Sequence, residues 1–301
     1  MGGACYLQTG QVTCHDATRR EIDCAGCGQD GEFRRGVPWP GPRFENEGKT
    51  VTDRLTGLVW CRNANLAEFP LTWQEALDYV AQMNRRQALG YSDWRLPNRR
   101  ELRSLISHQA KRPALPEDQP FTNIFNGWYW SSTTATISPA HAWYVNMEGG
   151  RMFYGGKDQS FLVWPVRGKG NGVLPATGQT RCYAETGEVI SWAGAGQDSE
   201  LSCGCSWPSP RFQATREEVI CRTPLMRWSP FNAAHQLPDF SLSRNISNGG
   251  NNRKSITRAI LMAAAVRMPM STLSLKLEID STRKPATRVS VVTHRALPTC
   301  E

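Results

Sequence analysis

The clearest periodicity in the chain lies between residues 70 and 110. Thr72 followed three positions later by Glu75 is the signature of a helix start, in which each residue satisfies the other's orphan backbone donor. Trp73, Ala76, Leu77, Val80 and Ala81 then recur at helical spacing and predict one apolar face. Asn98 and Glu101 repeat the start signal for a second helix, with Leu102, Leu105 and Ile106 facing inward. Pro113, Pro116 and Pro120 close the helical part.

The flanking pattern alternates with period two. Residues 49–60 predict a hairpin, Thr50 and Val51 leading into a turn at Asp53–Gly57 and Leu58–Trp60 returning as a buried strand. Trp128–Thr133 and Ala142–Met147 are rich in strand formers, and Arg151–Tyr154 follows the Gly149-Gly150 turn as a hairpin partner. Phe161–Arg167 closes the pattern, with Pro165 marking an edge or bulge. Helices followed by antiparallel strands predict an α+β domain. Trp60, Trp94, Trp130, Trp143 and Trp164 sit beside or alternate with apolar residues, as core anchors do. Trp128 and Tyr154 are the aromatics expected at the surface. Asp93 and Arg95 flank Trp94 and are expected to form a buried structural ion pair.

A second regularity has a much longer period. GQVTCHDATRREIDCAGCGQDGEFRRGVPWPGPRF from Gly10 aligns without gaps on GQTRCYAETGEVISWAGAGQDSELSCGCSWPSPRF from Gly178, at a shift of 168 positions. Roughly half of the aligned positions are identical. After Phe44 the patterned domain follows; after Phe212 it does not, and no Phe, Trp or Tyr occurs beyond Phe240. The expected organisation is a Cys/Gly/Pro-rich leader at 1–44, a domain at 45–168, a linker at 169–176 and the repeated leader at 177–212. Residues 213–301 are expected to be a degenerate, poorly ordered tail, with one amphipathic helix near Ile256–Met268. A shifted reading frame is one origin for such a tail.

The net charge of +8 changes this picture little. Residues 241–301 hold ten Lys/Arg against three acids, so the aromatic-rich body is near neutral and no phosphate-tracking surface is expected. With 40% hydrophobic and 21% charged residues the chain reads as globular. No apolar run is long enough to span a membrane, and the first residues carry no signal-peptide pattern. Among the 10 cysteines, Cys24-Ala-Gly-Cys27 has metal or redox spacing, but no second such pair or His pair accompanies it. Disulfides are the expected use, with Cys14 and Cys24 the candidates, and no metal or cofactor is expected.

Five ordered motifs carry a family resemblance. Val51-Thr-Asp-x-x-Thr-Gly-Leu-x-Trp60, Ser92-Asp-Trp-Arg-Leu-Pro-Asn98 with Glu101, Tyr129-Trp-Ser-Ser-Thr133, Ala142-Trp-Tyr-Val145 and Val163-Trp-Pro-Val-Arg-Gly168 together resemble the Lcl C-terminal domain. That resemblance implies a C-type-lectin-like fold in a secreted or envelope protein of bacteria, used for binding a glycan or protein ligand rather than for catalysis. Asp93, Arg95 and Arg167 fall in its motifs as structural residues. The calcium-site motifs of calcium-dependent lectins do not occur in 45–168, and Cys61 is the one cysteine there, so neither calcium-dependent binding nor paired-cysteine catalysis carries over. His108 and His141 are the domain's histidines, one expected on a helix surface and one in a loop, and no nucleophile motif surrounds either. In this fold the ligand surface is usually built from loops and late strands, here 133–141 and 146–157. Asn146, Glu148, Arg151, Tyr154 and Lys157 there, together with Trp128 as an aromatic expected at the surface, are the candidate ligand-binding residues. The alternatives are a structural spacer or protein-interaction module, and a degenerate chain without function in its second half. The oligomeric state is not legible.

Overall fold

The structure, a computed structural model, describes residues 6–214 and 219–221. The tail from 222 onward, including the helix expected at Ile256–Met268, lies outside the described residues. In chain order the elements are β1 (Cys14–His15), β2 (Glu21–Ile22), α1 (Asp30–Phe33), β3 (Phe44–Asn46), β4 (Thr50–Asp53), β5 (Leu58–Cys61) and α2 (Trp73–Arg85). A 3-10 turn (Ala88–Gly90) leads to α3 (Arg99–Ser104), and then come β6 (Trp128–Thr134), β7 (His141–Asn146), β8 (Met152–Gly156) and β9 (Val166–Arg167). The second leader supplies β10 (Cys182–Tyr183), β11 (Val189–Ile190) and α4 (Asp198–Leu201), followed by β12 (Phe212–Ala214) and β13 (Val219–Cys221).

Two antiparallel sheets build the domain. One runs in the order β3-β4-β5-β9, the other β6-β7-β8. Pro165 precedes β9, whose two residues pair with Val59 and Trp60 at the sheet edge, where a missing N–H costs least. The mixed helix and antiparallel-sheet architecture is as the sequence patterns require.

Helix α2 starts as expected. Thr72 accepts the Glu75 N–H, the Glu75 carboxylate accepts the Thr72 N–H at 2.8 Å, and that bond holds the Glu75 carboxyl below its ordinary range. Trp73, Ala76, Leu77 and Val80 are buried; Ala81 is not, and Met83 completes the face in its place. Thr72→Ala should lower unfolding stability by about 0.5–2 kcal/mol. Urea denaturation with an unchanged m-value would measure it, and a shift below ~0.3 kcal/mol would mean that solvent caps the helix equally well. Helix α3 is capped by Asn98, whose Oδ1 accepts the Arg100 and Glu101 N–H groups. It ends at Ser104, yet Leu102, Leu105 and Ile106 are all buried. His108 therefore lies beyond the helix rather than on its surface.

Trp60, Trp94, Trp130 and Trp164 are core residues, at 0–2% exposure. Trp164 meets Trp60, Phe121 and Tyr129 at ring distances of 5.7, 4.8 and 5.6 Å, mainly edge to face. Trp143 departs from the expectation. It lies on the Val145 face of β7, opposite Tyr144, yet is only half-buried, between the Arg99 guanidinium at 4.8 Å and Tyr154 at 5.2 Å.

The charged pairing around Trp94 also differs. Arg95 bridges Val166 through both backbone bonds, which aims its side chain inward to Glu101 at 2.6 and 2.8 Å and to the Gly168 carbonyl at 2.7 Å. Asp93 instead faces outward and accepts from Arg167 at 2.7 Å, with that guanidinium stacked 3.8 Å from the Tyr91 ring centroid. The buried pair is Arg95–Glu101, because Glu101 is already drawn to this spot by its capping bond to the Asn98 N–H.

The two leaders fold alike, residue for residue at the 168 shift. Cys14 pairs with Ile22, and Cys182 with Ile190. Glu32 gathers the Gly26 and Gly28 N–H groups as Glu200 gathers those of Gly194 and Gly196. Trp39 donates to the Gln8 carbonyl, Trp207 to that of Ala176. The β3–β4 register pairs Phe44 with Asp53, and β12–β13 pairs Phe212 with Cys221, so the correspondence runs past Phe212 into residues expected to be tail.

Candidate functional site

The outer face of β6-β7-β8 is aromatic. Trp128 packs against Tyr144 at 4.7 Å and Phe153 at 5.9 Å, while Phe161 lies 4.6 Å from both Trp130 and Tyr144. Strand alternation explains the row: Trp128 and Trp130 share a face of β6, Trp130 is paired with Tyr144, and Tyr144 with Phe153. Phe161–Leu162 continues the sheet beside β6, through Leu162 N–H to Trp128 O at 2.9 Å and Trp130 N–H to Leu162 O at 3.0 Å. Next to this face opens a cleft of about 400 Å³. Trp128, Phe161 and Leu162 line it together with Asn65, Glu68, Phe125, Asn126 and Ser160. Phe125 and Phe153 are 53% and 52% exposed, high for Phe, and Phe69 beside the cleft is 71% exposed. Asn65 carries a buried Oδ1 with no hydrogen-bond donor.

Of the residues expected to bind ligand, the structure brings only Trp128 into this cleft. Tyr154 is 40% exposed but turns to the Trp143 side of the sheet. Asn146 is buried, its Oδ1 accepting the Glu148 N–H at 2.6 Å in the turn. Glu148 is ion-paired with Arg112, which holds its carboxyl below the ordinary range, and Arg151 is exposed on the same turn. Lys157 is buried, at 1% exposure, against the second leader. Sequence reasoning missed Phe125, Phe153, Phe161 and Asn65. Phe153 beside Tyr154 on an edge strand was the available signal, since an edge strand with two neighbouring exposed aromatics breaks the usual alternation.

The second leader covers a different part of the domain. Lys157 Nζ donates to the carbonyls of Tyr183 and Ala184 at 3.0 and 2.9 Å and sits 4.0 Å from the Trp73 ring centroid. Burial pushes its ammonium down to about 8. Thr133 donates to Asp198 at 2.7 Å, and the Thr134 N–H to Gln179 Oε1 at 2.7 Å. Burial raises the Asp198 carboxyl, against the two threonine hydroxyls that favour its charged form. A larger groove, about 550 Å³, separates this leader from α2 along Leu77, Asp78 and Ala81. It lacks the exposed aromatic wall of the Trp128 cleft, and the cleft is the better ligand site for that reason. The first leader is held elsewhere, by Gln109 Oε1 on the Val12 and Thr13 N–H groups and by the His108 N–H on the Thr9 carbonyl.

The described residues contain one cysteine cluster with metal-ligand spacing, Cys14, Cys24 and Cys27, of which Cys14 and Cys24 form a disulfide as expected. None of their helices is long and apolar enough to cross a membrane. Residues 49–167 match the family model of the Lcl C-terminal domain. No curated protein matches the chain.

Proposed function

We propose that this chain is a non-enzymatic ligand-binding module of a bacterial secreted or envelope protein, with a C-type-lectin-like fold over residues 45–168 and a glycan as its ligand. The observation that carries the reading is the aromatic wall of Trp128 and Phe161, flanked by exposed Phe125 and Phe153, along a cleft rimmed by amide and hydroxyl side chains. Sugar rings present apolar C–H faces that pack on aromatic rings, and hydroxyls that bond to amide and hydroxyl side chains such as those of Asn126 and Ser160 in the cleft. The match to the Lcl C-terminal domain supports the same class. We read residues 177–221 as the start of a second copy of the whole unit.

Glycan-array binding followed by titration tests this. Phe153→Ala and Phe125→Ala should each weaken binding of a captured glycan about tenfold, and Trp128→Ala should abolish it, in chains with unchanged circular dichroism. Affinity unmoved by all three would remove the cleft as the site. A second reading, a protein-coupling spacer, is favoured by the docking of the second leader through Lys157 and Asp198. Capture of an envelope protein by a chain that binds no glycan would select it.

A further inference from the structure

The first leader holds a bond that its counterpart does without. Cys14 is joined to Cys24, and the sulfurs of Cys14, Cys24 and Cys27 all lie within 4.8 Å of one another. In the second leader the corresponding positions are Cys182, Trp192 and Ala195. Cys182 keeps a buried free thiol, 2.9 Å from the Ser199 hydroxyl. The fold around it is nevertheless the same. The loop is gathered on Glu200 at 2.7 and 2.6 Å as on Glu32 at 2.8 and 2.7 Å, and Gln197 clasps Tyr183 as Gln29 clasps His15. Carboxylate–amide bonds position the loop in both leaders, so the disulfide is not what shapes it.

Where the second leader has Ser199, the first has Gly31. A Cβ on Gly31 would approach Cys14 Sγ to 2.9 Å and Cys24 Sγ to 3.2 Å, so glycine leaves the room that a second sulfur needs. Cys27 is part-exposed and free, and its sulfur accepts the Gln29 N–H at 3.4 Å. We propose that Cys14, Cys24 and Cys27 form a thiol–disulfide exchange site with two disulfide isomers. The Cys27 thiolate attacks Cys24 Sγ, the Cys24–Cys27 bond forms, the Cys14–Cys24 bond breaks, and Cys14 leaves as a thiolate that takes up a proton. One disulfide and one thiol stand on each side, and no outside oxidant enters. The freed Cys14 is then a buried thiol in an unaltered hairpin, as Cys182 is, with Gly31 in place of the Ser199 hydroxyl. Cys24-x-x-Cys27 is also a spacing at which a disulfide closes readily.

The test maps disulfides by mass spectrometry in the full chain, after acid quenching and alkylation. Wild type equilibrated in glutathione buffer should contain both Cys14–Cys24 and Cys24–Cys27 linkages. Cys14→Ser should fold and carry Cys24–Cys27. Cys27→Ser should retain Cys14–Cys24 alone and be opened by glutathione roughly tenfold more slowly, lacking the resolving thiol. Three results overturn the proposal: a folded Cys14→Ser chain with both Cys24 and Cys27 alkylated, Cys27 linked to a cysteine outside the trio, or stoichiometric zinc held by the reduced trio without any Cys24–Cys27 linkage. If Cys14→Ser does not fold, the wild-type map decides, and a Cys14–Cys24 linkage alone at every glutathione ratio counts against exchange.

Discussion

Asp53→Ala should cost about 3–5 kcal/mol of unfolding stability. Asp53 is fully buried and receives both arms of Arg43, at 3.0 and 2.9 Å. It also accepts the Leu55 N–H and the Thr56 hydroxyl, which fixes the turn between β4 and β5. Arg43 is itself buried, bonded to the Ser104 carbonyl at 2.7 Å and stacked 4.5 Å from Trp39 and 4.8 Å from Phe44. Removing the carboxylate leaves a guanidinium without its counter-charge in a site that water does not reach. For a domain of this size the loss corresponds to a drop of about 10–15 °C in Tm. Replacing both partners together, Arg43→Met with Asp53→Leu, should recover much of it, because the penalty lies in the orphaned charge. Urea titration of the three chains measures this, and a single variant losing less than ~1 kcal/mol would show that the pair is dispensable.

Lys157→Met should free the second leader. The substitution keeps the hydrocarbon stem but removes both bonds to the Tyr183 and Ala184 carbonyls and the charge over Trp73. Cleavage within residues 178–211 under limiting protease should rise at least tenfold while the domain stays resistant; equal cleavage of both chains would overturn the docking role. The lysine also gives the docking a pH dependence of definite sign. Its docked pKa is about 8, below the ordinary lysine value of about 10.4. Between these values the undocked state binds more protons, so docking strengthens as pH rises through the window, and below about 8 the burial penalty is complete. Cys61, pushed up to about 11, and Tyr129, to about 12, lie in the domain core and lower the stability of the domain itself as pH rises through that range. They are present in both chains, so the difference between wild type and Lys157→Met isolates the lysine. That difference should shift toward wild type from pH 8 to 10.

What was legible in the sequence was what periodicity and capping encode. The α2 and α3 starts at Thr72 and Asn98, the β4–β5 hairpin and four of the five core tryptophans were all readable, because each is decided by neighbours within a few residues. Long-range pairing was not. Asp93 and Arg95 stand two residues apart, but the backbone bridge from Arg95 to Val166 sends their side chains to different partners. Trp143 alternates as a core residue would, yet it is only half-buried, because its neighbours on that face are the Arg99 guanidinium and Tyr154. Lys157 read as a surface cation, since nothing near it in sequence announces that residues 183 and 184 will cover it. The cleft was half legible: Trp128 was named, whereas Phe125 and Phe161 meet it only after the sheet is assembled.

The order β3-β4-β5-β9 has a mechanical consequence. The chain enters the domain on one edge of that sheet, at Phe44, and leaves it on the other, at Arg167, about 14 Å away across three inter-strand spacings. A pull along the chain therefore loads the sheet from its two edges. Before it does, it meets the leaders, which are seated on the domain mainly by a few polar bonds each. Peeling the second leader, about 35 residues, releases on the order of 120 Å of chain; the Cys14–Cys24 disulfide holds back part of the first, which releases on the order of 85 Å. Each leader is thus a folded reserve of length, which yields at low force and spares the tryptophan core.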